Sequence, residues 1–324
     1  MKKAIIYIFS GTDNTFIAGK MVAKALLEYD IQAELYRICT KNSSLYDNEI
    51  DRSSYTYISD EFGYVPNPNN YDIAGFAYPI HGFNSPQFFL RFVKHLPALS
   101  DDKKGMRAFI FKTSGEPFRP NNASSNTLCY FLKKKGFNPG IDMHMLMPYN
   151  IMFKYPDAMA KQMYIHTRDV MATKLAKDVA NENYTKLSYN FFTIVWSYMI
   201  RLQWVGAWIN GPLQKSINDT CIGCGICAKV CPSANIKIVE ALDKNKKPLG
   251  HNKPKFGAKC TMCMACTMKC PKGAIKPGFL TPWKVWPSWD FERLLSDENI
   301  PSNHTDSEDA KYFKLFRNYY SKNI

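Results

Sequence analysis

Two widespread nucleotide-binding signatures are absent from this chain of 324 residues. It has no Gly-x-Gly-x-x-Gly fingerprint, and Gly11 stands too far from Gly19-Lys20 to form a P-loop with them. These absences disfavour a dinucleotide-binding domain and exclude a P-loop.

Acidic residues are scarce: 28 Asp and Glu stand against 42 Lys and Arg, which gives a formal net charge of +14. This excess indicates an acidic partner, an anionic surface or bound anions, and it carries no information about the fold. The lysines are dispersed and no nucleic-acid recognition motif is present. The hypothesis of a nucleic-acid-binding redox sensor is therefore supported by the net charge alone. We therefore expect no nucleic acid among the partners.

The N-terminal region lacks the long apolar run of a signal peptide. The apolar segment 4–9 spans only six residues and leads into a polar loop without a small-residue cleavage site. It predicts a buried first β-strand, and we expect a cytoplasmic protein. In that reducing compartment, clustered cysteines bind metal more often than they pair as disulfides.

Cysteine is rare outside one short region. Cys39 and Cys129 lie in a predicted strand and a predicted helix, where they are most simply interpreted as buried small apolar residues. The other eight cysteines form the motif Cys-x2-Cys-x2-Cys-x3-Cys-Pro twice. The first copy contains Cys221, Cys224, Cys227 and Cys231, and the second contains Cys260, Cys263, Cys266 and Cys270.

This repeat predicts two iron–sulfur clusters. Three thiolates two residues apart can wrap a loop around three irons of one cube, and the fourth cysteine of each run then ligates the other cube. Structural zinc is the weaker alternative, because zinc sites rarely need three evenly spaced cysteines followed by Cys-Pro. The expected ligands are Cys221, Cys224, Cys227 and Cys270 for one [4Fe-4S] cluster and Cys260, Cys263, Cys266 and Cys231 for the other.

Through this complete ligand pattern, residues 216–278 resemble a bacterial two-cluster ferredoxin. The resemblance implies a small α+β domain in which the residues after each motif, 234–238 and 273–276, form short covering strands. The connection between the motifs looks longer than in the smallest members of that family and is rich in lysine. It is either a solvated hairpin or a docking surface for an acidic redox partner, and both interpretations stay open.

The first 152 residues alternate short apolar runs with helical stretches. This pattern predicts an α/β fold, a doubly wound parallel sheet with helices on both faces. The predicted strands cover 4–9, 33–38, 73–78, 107–112 and 143–147. The predicted helices cover 15–29, 86–96 and 124–135.

Residues 10–15, here called the phosphate loop, connect the first predicted strand to a helix. Backbone N–H groups, hydroxyls and the helix dipole can hold a phosphate there, although an ordinary turn explains the same sequence. Two later loops, 79–86 and 113–118, follow the third and fourth predicted strands. They favour a ligand-binding site, because open α/β sheets bind ligands beyond the carboxyl ends of their strands. The candidate binding residues are Ser10, Gly11, Thr12, Asp13, Asn14, Thr15, Pro79, Ile80, His81, Gly82, Phe83, Asn84, Thr113, Ser114 and Gly115.

With these three loops in place, the first domain resembles a flavodoxin, which implies FMN as its cofactor. The phosphate loop of that family usually has the sequence Ser-Gly-Thr-Gly-Asn-Thr, and Asp13 replaces the second glycine here. Asp tolerates a left-handed backbone better than most residues, but its negative charge adds to that of a phosphate. His81 can hydrogen-bond the flavin, donate a proton or simply occupy a turn.

A helical connector is predicted for residues 153–215 and a tail for 279–324, with a mobile polar stretch at 301–310. The apolar run 189–209 is long enough to span a membrane. Against a span, it contains a polar stripe that includes Arg201, a residue that is costly to insert. The other interpretations are a helix on a membrane surface and a helix packed between the domains, of which we favour the second.

Together the two domains resemble the flavodoxin–ferredoxin fusion proteins of anaerobic bacteria. That resemblance implies an electron-transfer protein that passes electrons between FMN and two [4Fe-4S] clusters and on to redox enzymes with acidic docking surfaces. The alternative is an iron–sulfur flavoprotein reductase that acts on a small organic acceptor at the flavin. No acid–base pair at a recognisable spacing supports this alternative, so no catalytic residue is predicted.

Overall fold

The α/β fold predicted for the first part of the chain is confirmed. The computed structural model describes residues 1–47, 52–185, 187, 189–200, 217–242, 246–277, 284–307 and 311–322. Each of the five apolar runs predicted as strands forms one, and the last begins at Asn138 rather than at 143. The three predicted helices are also present, with ends that differ by a few residues.

A five-stranded parallel sheet forms the centre of this domain. Its order, β2-β1-β5-β6-β7, leaves β3 and β4 as a separate antiparallel pair. Without that pair the order is 2-1-3-4-5, the flavodoxin-like doubly wound arrangement, which places a ligand crevice beyond the ends of β1 and β5. The strands are β1 (Lys2–Ile8), β2 (Ile31–Arg37), β3 (Tyr55–Ser59), β4 (Gly63–Pro66), β5 (Ile73–Pro79), β6 (Arg107–Ser114) and β7 (Asn138–Leu146).

Helices cover both faces of the sheet, because successive side chains of a strand point to opposite sides and both sides are apolar. Ile6 and Ile8 of β1 belong to the core beneath α1 and α5, whereas Tyr7 belongs to the core beneath α2 and α3. The helices are α1 (Asn14–Leu27), α2 (Gln87–His95), α3 (Asn126–Lys134), α4 (Asp157–His166) and α5 (Thr173–Ala180).

The region predicted as a connector, 153–215, begins with helices that pack on the sheet. A π-helical stretch, Thr167–Ala172, joins α4 to α5, and Leu175 of α5 is fully buried. The helix α6 (Phe191–Met199) follows at the surface. Among the described residues no helix is long and apolar enough to cross a membrane, and 201–209 of the apolar run lie outside them.

The cysteine-rich region folds into two short helices and an antiparallel hairpin. One helix lies within each cysteine motif, α7 (Ile226–Lys229) and α8 (Ala265–Met268). The long connection between the motifs forms the hairpin of β8 (Ile236–Leu242) and β9 (Pro248–Phe256). The strand predicted at 273–276 is wrong: the structure has there a single bridge between Ile275 and Ile217.

The C-terminal tail returns to the first domain. It contains α9 (Phe291–Ser296), α10 (His304–Ser307) and α11 (Lys314–Lys322). Thr305, in the stretch expected to be mobile, is buried and exchanges two hydrogen bonds of 2.9 Å with the Gln162 side chain. The described part of that stretch is therefore anchored to α4 by a pairing that its polar sequence does not reveal.

Candidate functional site

Four cysteines line a small cavity, here called the distal cavity: Cys221, Cys224, Cys227 and Cys270. The backbone N–H of Ala274 donates to Sγ of Cys270 at 3.2 Å. Cys224 is exposed, so one wall of this cavity faces solvent.

A second set of cysteines lines the proximal cavity: Cys231, Cys260, Cys263 and Cys266. The backbone N–H of Asn235 donates to Sγ of Cys231 at 3.3 Å, and that of Met262 donates to Sγ of Cys260 at 3.4 Å. Each cavity thus combines three cysteines of one motif with the last cysteine of the other. This is the crossed grouping that the spacing predicts.

Burial keeps two of the cysteine side chains protonated in the absence of a metal. Burial raises the pKa of Cys227 to about 11 and that of Cys263 to about 12. Metal ligands must be thiolates, so these two side chains hold protons at neutral pH unless iron replaces them. The four sulfur donors that line each cavity are the ligand set of an iron–sulfur cube.

The proximal cavity lies directly against the phosphate loop. A Cβ atom placed on Gly11 would lie 2.4 Å from Cβ and 2.7 Å from the carbonyl oxygen of Cys263. Two hydrogen bonds of 2.8 Å reinforce the contact: the Thr40 N–H donates to the carbonyl of Pro232, and the Ser43 hydroxyl donates to that of Cys231. The loops that follow β1 and β2 therefore form the surface that contacts the cysteine-rich domain.

The phosphate loop has the geometry of an anion site. Asp13 has φ of 72°, the left-handed conformation that its short side chain tolerates. The first hydrogen bond of α1 runs from the Ile17 N–H to the Asp13 carbonyl at 2.8 Å. The N–H groups of residues 14–16 therefore precede the hydrogen bonds of the helix and remain oriented toward its N-terminal end.

The carboxylate of Asp13 is neutralised by two cations. Lys269 Nζ lies 2.8 Å from its Oδ2, and Arg37 Nη2 contacts its Oδ1. Burial alone would raise the pKa of Asp13, but hydrogen bonds from Lys269 and Arg37 outweigh burial and hold the pKa below its ordinary value. The negative charge that the sequence adds beside a phosphate is thus compensated.

The structure brings the three candidate loops together at the carboxyl edge of the sheet. The hydroxyl oxygens of Thr15 and Thr113 lie 2.8 Å apart, and the Ile80 N–H donates to the Thr113 carbonyl at 2.8 Å. The His81 ring lies 6.3 Å from that of Phe9, centroid to centroid. Burial lowers the pKa of His81 to about 4, so this imidazole is neutral near pH 7.

Some candidate residues point elsewhere. Ser114 Oγ lies 2.7 Å from Nε2 of His144 and 2.8 Å from the Glu116 carbonyl, so it belongs to a network with β7. A Cβ atom on Gly115 would lie 2.4 Å from the Tyr149 ring, which covers that position. Asn84 Nδ2 donates to the carbonyl of Ser197 at 2.6 Å and thereby holds α6.

Sequence reasoning overlooked Arg37 and Lys269. Arg37 ends β2, and only the parallel pairing of β2 with β1 places it beside the phosphate loop. The sequence gives a weak indication of Lys269. It precedes the last cysteine of the second motif, where the first motif has the apolar Val230. That asymmetry between the repeats, together with Asp13 in a position usually held by glycine, could have suggested the ion pair.

Comparison with known proteins identifies the cysteine-rich part: residues 220–274 match the family described as 4Fe-4S dicluster domain. A segment of 93 residues is 30% identical to NADH-quinone oxidoreductase subunit I of Pelobacter propionicus. It covers 28% of this chain and 49% of that protein, so the chain spans about half the length of its curated relative.

Solved structures similar to this chain include two flavodoxin-type proteins. The Streptococcus pneumonia TIGR4 flavodoxin is 15% identical, with 56% of this chain and 99% of that chain covered and a TM-score of 0.34. The flavodoxin, WrbA-like protein from Agrobacterium tumefaciens is 11% identical, with the same coverage of 56% and 99% and a TM-score of 0.34.

Proposed function

Because the chain is a fusion of a flavodoxin-like domain with a 4Fe-4S dicluster domain, we propose that it is an electron-transfer protein that links FMN to two [4Fe-4S] clusters. The observation that carries this proposal is the contact of Cys263 with Gly11. It supports the proposal because Cys263, an expected ligand of the proximal cluster, lies against the loop that would hold the flavin phosphate. Electrons can therefore pass within one chain.

FMN is the flavin that the first domain suits. The phosphate loop offers the N–H groups at the start of α1 and the hydroxyl of Thr12, and Arg37 and Lys269 offset the charge of Asp13. The sequence contains no dinucleotide fingerprint for the second phosphate and adenosine of FAD. A flavin stores two electrons and each cube passes one, so a chain holding all three can connect two-electron and one-electron partners.

The dicluster domain provides a route from the flavin site to the surface. The proximal cavity touches the phosphate loop, whereas the distal cavity borders solvent at Cys224 and at Ile222, whose side chain is 59% exposed. We place the exchange with a partner protein at this exposed wall. Lys246 and Lys247 at the tip of the β8–β9 hairpin are exposed as well, and they favour an acidic partner.

Cofactor analysis of anaerobically purified protein tests this proposal. About eight irons and eight acid-labile sulfides per chain are expected from two cubes, with one FMN released on denaturation. Zinc in place of iron, FAD in place of FMN, or no flavin at all would overturn the corresponding part of the assignment.

A second candidate function is reduction of a small organic acceptor at the flavin. An open cavity of about 430 Å³ lies between Arg119 and the aromatic side chains Tyr189, Phe192 and Trp196. Because α6 also contacts the loop that contains Asn84, this cavity neighbours the candidate flavin site. Steady-state turnover with small acceptors in the absence of a second protein would favour the reductase, and its absence would favour the carrier.

A further inference from the structure

An ion pair joins the phosphate loop to the dicluster domain. Asp13 Oδ2 and Lys269 Nζ are 2.8 Å apart, and both side chains are more than half buried. We propose that Asp13 and Lys269 are positioning residues that couple flavin binding to docking of the proximal cluster. This inference rests on the proposed function, because it concerns the phosphate of the same flavin.

Lys269 lies in the chain between a cysteine of each cavity. It lies three residues after Cys266, which lines the proximal cavity, and one residue before Cys270, which lines the distal cavity. The short helix α8 ends immediately before it. Its ammonium group therefore moves with the dicluster domain. The ion pair with Asp13 holds that domain in place relative to the phosphate loop.

The charges explain why docking would favour flavin binding. Asp13 contributes one negative charge beside the phosphate, and Arg37 and Lys269 contribute two positive charges. A bound FMN phosphate adds about two negative charges. Without Lys269, the remaining Asp13–Arg37 pair is neutral and leaves the phosphate uncompensated, so the dicluster domain supplies a cation that the flavodoxin-like domain lacks.

The coupling is reciprocal because binding free energies are linked. A phosphate in the loop increases the negative potential around Lys269 and so strengthens the attraction of the dicluster domain. Close packing of Cys263 on Gly11 adds a second contact that holds the dicluster domain against the phosphate loop. Flavin binding and the electron-transfer geometry would thus depend on the same pair.

Four variants of the cluster-containing full chain separate charge from docking. We would measure FMN dissociation constants by fluorescence titration after removal of the flavin. Lys269→Gln should weaken FMN about tenfold, as for loss of one charge-assisted interaction. Asp13→Asn should strengthen binding, and the double variant should return close to wild type because the local charge is restored. Lys229→Gln, which removes an exposed lysine of the first motif, is the matched control and should change affinity less than about twofold.

A kinetic measurement isolates docking. After photoreduction of the flavin, cluster bleaching should be slower than wild type in Lys269→Gln and also in the double variant, although its FMN affinity is restored. Lys269→Arg should recover both properties, because it keeps the cation. Unchanged affinity in Lys269→Gln, or wild-type kinetics in the double variant, would overturn the coupling while leaving the proposed function intact. A wild-type chain that binds no FMN would overturn the proposed function itself.

Discussion

Gly11 is required for close approach of a neighbouring domain and not for an unusual backbone conformation. Its φ lies outside the left-handed range, whereas a Cβ atom there would collide with Cys263. The neighbouring Asp13 shows the opposite case, since its φ of 72° is left-handed and its side chain is used for an ion pair. Two residues of one loop, Gly11 and Asp13, are thus constrained by packing and by conformation respectively.

Gly11→Ala should separate the two domains without unfolding either of them. The added methyl group overpacks the contact, for which a cost of about 1–3 kcal/mol is typical. We expect easier proteolysis between the domains and slower transfer from flavin to cluster. Gly250→Ala in β9 is the control: its φ of 71° makes the substitution strain the hairpin locally, but no atom lies within 4 Å of the added Cβ, so docking should be unchanged. A Gly11→Ala protein with wild-type transfer rates would show that the contact is loose.

Cys231→Ser tests the crossed grouping of the cysteines. Because Cys231 lines the proximal cavity with Cys260, Cys263 and Cys266, its loss should remove the proximal cluster and leave the distal one. Iron content should fall from about eight to about four per chain, and the remaining electron paramagnetic resonance signal should match that of the distal cluster alone. Cys270→Ser is the reciprocal control, since Cys270 lines the distal cavity. Loss of the distal cluster in Cys231→Ser would refute the crossed ligation.

At the scale of the secondary-structure elements, the C-terminal helix α11 packs on the first domain and covers part of its core. The helix α11 buries Phe316 and Tyr320 against α4, and the Tyr319 hydroxyl donates to the carbonyl of His144 in β7. His166 stacks on Tyr320 with ring centroids 4.5 Å apart, and both of its ring nitrogens are buried without a partner among the described residues. A neutral imidazole suits this place, whereas a charged one does not.

The packing of α11 should therefore weaken in acid. Burial lowers the pKa of His166 to about 4 from its ordinary value of 6.5. The unfolded chain binds more protons between these values, so the contribution is complete above about pH 6.5 and is lost as the pH falls toward 4. His166→Phe should reduce the decrease of the melting temperature between pH 7 and pH 5, measured by circular dichroism. His95→Phe, at an exposed site on α2, is the control, and equal pH profiles for His166→Phe and wild type would exclude this role.

At the scale of the whole molecule, the sites are linked by contacts between neighbouring parts. The phosphate loop contacts the proximal cavity, and the β8–β9 hairpin contributes Ile236 to the proximal cavity and Pro254 to the distal one. The hairpin residues 246–250 are all exposed. The structure thus contains the hairpin that one interpretation of the connection predicted, and the docking interpretation stays a prediction.

Reversal of Lys246 and Lys247 to Glu should slow electron exchange with an acidic partner. Steering charges act mainly on the association rate and are screened by salt, so the difference should be largest at low ionic strength. Stopped-flow kinetics with the physiological partner measures it, and the visible spectrum should stay unchanged. Lys24→Glu with Lys177→Glu, on α1 and α5, gives the same charge change elsewhere. Rates insensitive to both reversal and salt would identify the hairpin as merely solvated.

The local signals of this sequence were sufficient for two results. The alternation of apolar runs and helices determined the parallel sheet, because a strand buried on both faces needs a continuous apolar segment such as 4–9. The spacing of the cysteines indicated the dicluster domain, because ligand geometry limits how far apart they can stand in the chain. Both are properties of short segments.

Only the tertiary structure determined which of these segments contact one another. The contact of Cys263 with Gly11 and the pair of Asp13 with Lys269 join residues about 250 positions apart, and no local pattern encodes such distances. The same holds for the hydrogen bonds that join Thr305 to Gln162 and Ser197 to Asn84. Sequence indicated the fold of each domain and the grouping of its cysteines, whereas packing between the domains decided which cysteine cavity meets the phosphate loop, because that choice depends on shape and charge at surfaces formed only after folding.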